Sequence, residues 1–118
     1  MNYQVSPKAD TSGTSFQMYL CAASVEQMTK AFGAPSADAY WDPERGYDGD
    51  EWQFESDSGL VFNVYARWGQ LRVGAHGEEG VEAFGAWLYE KLGINAVPAL
   101  AAYWVSPIGS VVPLRGGS

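Results

Sequence analysis

Three runs of alternating character, EWQFES, LVFNVYARW and LRVGAH, follow one another between residues 51 and 76 with only DSG and GQ between them. Successive side chains on a strand point to opposite faces, so each run sorts into two sets. Trp52 and Phe54, then Leu60, Phe62, Val64 and Ala66, then Leu71, Val73 and Ala75 share one face. The opposite face takes Glu51, Gln53 and Glu55, then Val61, Asn63, Tyr65 and Arg67, then Arg72, Gly74 and His76. Turns this short make neighbouring strands antiparallel. The pattern therefore predicts a three-stranded meander whose apolar face another layer must cover.

Two helices are expected to supply that cover. In SVEQMTKAFGAP, Ser24 followed three residues later by Gln27 predicts a capping box, and Val25, Met28 and Phe32 recur on one side. Glu26 and Lys30 pair at i, i+4, and Gly33 with Pro35 ends the element. A second helix spans about Glu78 to Leu92 and buries Val81, Phe84, Leu88 and Leu92, with Glu78, Glu79 and Glu82 at its positive end and Gly93 as its stop. Ahead of the first helix, SFQMYLCAA is rich in strand formers.

The predicted order is β-α-β-β-β-α plus a C-terminal extension. This is an α+β fold: an antiparallel sheet of three to five strands with two helices packed on one face. A chain of 118 residues with 47% hydrophobic and 18% charged residues has the size and composition of one globular domain, 1–118, with a flexible N-terminus over 1–13 and an extension over 94–118. Residues 34–50, punctuated by Pro35, Pro43, Gly46 and Gly49, are expected to form a long loop, and the segment from Leu100 to Val105 an edge strand.

Little of the familiar site chemistry is present. One cysteine and one histidine do not make a closed zinc ligand set. A calcium loop starting at Asp42 has Tyr47 where glycine is needed and Gln53 where the final glutamate is needed. GAHGEEG lacks the lysine of a phosphate loop, and Glu78 and Glu79 repel an anion. No metal or other cofactor is expected. Hydrolase equipment would have to be Cys21 with His76, or a carboxylate pair drawn from Asp48, Asp50, Glu51 and Glu55. YLCAAS shows no nucleophile elbow, and the acids are too numerous for any pair to be specific. The N-terminus has no signal-peptide core and the longest apolar run, INAVPALAAYWV, is too short to span a bilayer, so a soluble cytoplasmic protein is expected.

The charge is more informative. Net charge is −7, and eight of the 14 acids (Asp38, Asp42, Glu44, Asp48, Asp50, Glu51, Glu55 and Asp57) fall within 20 residues whose single base is Arg45. Such a localised field disfavours direct nucleic-acid or membrane binding and steers a basic partner. On a strand, Glu51, Glu55 and Asp57 would line one face at roughly 6.6 to 6.8 Å per alternate residue, about the spacing of phosphates along a strand. Tyr40, Trp41 and Tyr47 stand among the acids as the kind of aromatic anchors that dominate interfaces. The candidate partner-binding residues are Trp41, Asp42, Glu44, Tyr47, Asp48, Asp50, Glu51 and Glu55.

Taken in order, SVEQMTKAFGAP, EWQFESDSGLVFNVY, LRVGAH and GVEAFGAWL, spanning residues 24 to 92, resemble a loose class of small proteins encoded by bacteriophages and other mobile elements. The resemblance is structural and carries no catalytic residues. It implies a phage origin, not an activity. Small acidic phage proteins of this kind include inhibitors of bacterial defence, anti-CRISPR proteins among them, and the leading expectation is a non-catalytic protein that covers a basic nucleic-acid-binding surface of a host complex. A self-associating or virion-associated protein, dimerising through the tail from Val97 to Val112, is the alternative expectation. The Cys21/His76 or carboxylate-pair hydrolase is the second.

Overall fold

A computed structural model describes residues 2–37 and 39–94, together with the strand backbone at Tyr103–Val105 and Val111–Pro113. In chain order the elements are β1 (Tyr3–Val5), β2 (Ser15–Tyr19), α1 (Val25–Phe32), β3 (Trp41–Asp42), a 3-10 turn (Pro43–Arg45), β4 (Tyr47–Ser56), β5 (Val61–Arg67), β6 (Gln70–Ala75), α2 (Val81–Leu92), β7 (Tyr103–Val105) and β8 (Val111–Pro113). The main sheet is antiparallel in the order β1-β4-β5-β6-β2, with β3 added to β4. The α+β class, the meander and the two helices are as the sequence predicts, but the sheet has six strands rather than three to five.

The alternation sets the layers. Trp52, Phe54, Phe62, Val64, Leu71 and Val73 are at most 3% exposed, and Met28 of α1 with Val81, Phe84 and Leu88 of α2 join the same cluster. Both helices thus bury their apolar stripes against one sheet face. The capping box forms as expected: the Gln27 N–H donates to Ser24 Oγ at 3.1 Å, and the Ser24 N–H donates to Gln27 Oε1 at 2.8 Å. Trp52 Nε1 donates to the Gly33 carbonyl at 3.0 Å, which ties β4 to the end of α1. The second helix starts at Val81, three residues later than predicted, because Gly80 takes the left-handed conformation at φ 75° and serves as its cap.

Four expectations change. The N-terminus is not a flexible tail throughout. Tyr3–Val5 pairs with Phe54–Ser56, and the Tyr3 ring packs 5.2 Å from Phe84 and 5.1 Å from Trp87, inside the aromatic core. Residues 34–50 are not a bare loop either. β3 folds back on the start of β4, pairing Trp41 with Asp48 and Asp42 with Tyr47 around the 3-10 turn. The turn between β5 and β6 is Trp68-Gly69, not Gly-Gln. Both turn residues have positive φ, 54° and 73°, the conformation a two-residue hairpin of this twist demands. In the tail, β7 pairs with β8 as a separate two-stranded sheet instead of extending the main one. The remainder of the proposed dimer segment, 97–102 and 106–110, lies outside the described residues.

The outer edge of β4 is covered piecemeal. β1 pairs with its last three residues, the Ser6 N–H donates to Gln53 O, the Ser36 N–H donates to Glu51 O, and β3 pairs with its first two.

Candidate functional site

All the candidate residues but Glu55 divide between an exposed corner and an adjoining cavity, and β4 runs through both. At the corner, Tyr40 is 55% exposed, Trp41 68% and Trp68 63%. Glycines seat the two indoles. The Trp41 ring rests over Gly49, and the Trp68 ring lies so close to Gly46 that a Cβ there would run into it. The Trp68 N–H also donates to the Gly46 carbonyl at 2.8 Å, which locks the β5–β6 turn onto the start of β4. Sequence reasoning misses Trp68 because it stands at the end of an alternating run, next to a GQ pair that reads as the turn.

Glu44 and Asp48 are exposed beside these rings. Asp42 is already engaged: its Oδ2 accepts from Tyr40 Oη at 3.1 Å and faces Arg45 Nε at 3.6 Å. The acceptor bond holds the Tyr40 phenol above its ordinary pKa, since losing the proton would set a phenolate against the Asp42 carboxylate. Arg45 is thus the acidic segment's internal counter-ion, and Asp42 serves local structure more than it offers free charge.

Asp50 and Glu51 sit elsewhere, on the sheet face opposite the helices. There a cavity of about 600 Å³ opens between the strands and the N-terminal segment that crosses them. Tyr40, Tyr47 and Tyr65 line it together with Asp50, Glu51 and Asn63, and Lys8 and Asp10 come from the crossing segment. Tyr47 meets Tyr40 edge to face at 4.9 Å and Tyr65 at 6.2 Å with a 30° tilt, so the three rings are contiguous. Burial raises the Tyr65 phenol above its ordinary pKa. Asn63, 6% exposed, donates through Nδ2 to Glu51 Oε2 at 2.8 Å, which fixes that carboxylate. Its Oδ1 lies against Gly74, at a spot a Cβ would fill, and has no hydrogen-bond partner among the described residues. His76 Nε2 lies 3.0 Å from the Asp10 carbonyl and anchors the crossing segment at the far end of β6.

The expected row of strand carboxylates is not continuous. Glu51 and Glu55 share a face, but Gln53 between them is buried, and Asp57 lies past the end of β4, where its Oδ2 accepts from the Asn2 N–H at 3.3 Å. The Cys21/His76 pair does not converge either. Leu20 bonds to Leu71 at one end of the β2–β6 ladder and Ser15 faces Ala75 at the other. Cys21 and His76 therefore lie past opposite ends, about six residues of strand or roughly 20 Å apart. Among the described residues no three His, Cys, Asp or Glu side chains are arranged to hold a metal ion. No helix among them is long and apolar enough to cross a membrane.

The fold and site define an α+β domain with helices on one sheet face and an acidic, tyrosine-lined cavity on the other. Comparison with protein-family models, curated proteins and solved structures gives no match for this chain.

Proposed function

We propose that this is a non-catalytic acidic binding protein that covers a basic, nucleic-acid-binding surface of a host macromolecule, in the manner of phage-type inhibitors of defence complexes. One observation carries the reading: three large aromatic side chains, Tyr40, Trp41 and Trp68, are each more than half exposed at one corner, next to the exposed carboxylates of Glu44 and Asp48. Exposed indoles are costly to leave in water, and folding alone gives Trp41 no reason to be there. Aromatic anchors beside free carboxylates are what a partner of opposite charge buries.

The test is competition. Wild-type protein and a variant carrying Trp41→Ala, Trp68→Ala, Glu44→Gln and Asp48→Asn are immobilised and offered bacterial nucleic-acid-binding complexes with and without duplex DNA. The wild type should retain a basic complex that salt and DNA both release, and the variant should lose it. Equal retention by the two proteins, or retention indifferent to DNA, would overturn the reading.

A further inference from the structure

We infer that the cavity on the helix-free sheet face is a receptor for a guanidinium group, the side chain of an arginine on the basic partner. The inference rests on the binding function proposed above, but it concerns the cavity and not the exposed corner. Among the residues that line the cavity, Asp10, Asp50 and Glu51 stand against the single ammonium of Lys8, while the guanidinium groups of Arg67 and Arg72 lie beside the tyrosine walls and offset part of that charge. Its walls are the contiguous rings of Tyr40, Tyr47 and Tyr65, whose negative faces attract a cation. At about 600 Å³ it is in the range of ordinary ligand pockets and has room for a side chain with its flanking backbone.

Geometry favours guanidinium over ammonium. A flat, weakly hydrated fork can lie on a tyrosine ring while donating in its own plane to carboxylates, whereas an ammonium is a compact, strongly hydrated point charge. The same sheet face already holds two of the protein's own guanidinium groups against aromatic rings. Arg67 stacks on Tyr47 at 4.7 Å, and Arg72 lies 5.0 Å from the Tyr19 ring and 5.4 Å from Phe16. Glu51 is preorganised as an acceptor by Asn63, whose Nδ2 donates to its Oε2 at 2.8 Å. A divalent metal is the poorer occupant, since no three ligating side chains converge among the described residues.

The test uses the intact chain and three small probes, N-acetyl-arginine amide, N-acetyl-lysine amide and N-acetyl-citrulline amide, followed by NMR. The arginine probe should shift the Tyr40, Tyr47 and Tyr65 ring signals and the Asn63 side-chain amide saturably, the lysine probe should bind more weakly, and the neutral citrulline probe should leave them unmoved. Asp50→Asn with Glu51→Gln should weaken the arginine probe about tenfold or more. Lys8→Gln, on an exposed residue outside the core, should tighten it several-fold by removing the resident cation. Equal shifts from citrulline and arginine, or no tightening in Lys8→Gln, would overturn the proposal. The corner variant described above separates the two ideas: it should lose the partner complex and still titrate with the arginine probe. Loss of the probe signal in that variant counts against a distinct cavity site.

Discussion

Trp68 is a bulky residue held in the left-handed conformation at φ 54°, a position where asparagine or glycine would be at ease. Its ring repays part of that strain by packing on Gly46, yet it stays 63% exposed. Strain of this kind persists where something other than stability selects the side chain. Trp68→Asn should therefore leave thermal stability within about 1 kcal/mol of wild type while sharply reducing capture of the partner complex, measured by calorimetric unfolding alongside the competition assay. Tyr3 presents the opposite case. Its hydroxyl is buried without a partner among the described residues, and burial raises its pKa. Tyr3→Phe keeps the ring contacts with Phe62, Phe84 and Trp87 and removes the orphan group, so denaturant unfolding should show a gain of about 1 kcal/mol.

Among the elements, β4 and β5 set the cavity floor, and β6 positions the Asn63 side chain within it. Asn63 and Gly74 are opposite one another, and the Asn63 amide occupies the space a side chain at 74 would need. Gly74→Ala should cost about 1–3 kcal/mol and displace Asn63 from Glu51, read as a lower denaturation midpoint and a moved Asn63 side-chain amide resonance. The meander that carries this pair was legible in the sequence, because period-two alternation with a buried set on one side leaves a single register in which the core can form. The capping box at Ser24 and Gln27 was legible for a similar reason, as a local arrangement that owes nothing to distant residues. β1 and β3 were not legible. A three-residue strand and a two-residue strand are too short to show a period, and what fixes them is tertiary: Tyr3 enters the aromatic core, and Tyr40 and Tyr47 meet edge to face. The candidate site was half legible for the same reason. Alternation put Glu51 and Tyr65 on the solvent side, but only the crossing segment from Pro7 to Ser15 turns that side into a cavity.

At the scale of the whole molecule, four tyrosines respond to pH in the same sense. Burial pushes the Tyr89 phenol up to about 12, with the neighbouring Cys21 adding to it; burial likewise raises Tyr3 and Tyr65, and the Asp42 bond raises Tyr40. Each holds its proton more tightly folded than unfolded, so between pH 10 and 12 the native state binds more protons and stability falls as pH rises. Below pH 10 this contribution is fully present. Urea midpoints should hold up to about pH 10 and decline towards pH 12, and Tyr89→Phe should flatten that decline. The piecemeal cover along β4 has its own consequence. Most of that edge is bonded to other parts of the chain, so an incoming peptide finds no long open ladder there to extend. A partner of the kind proposed would be held on this flank by side chains alone, and substitutions that spare the backbone should be enough to change which partner is held.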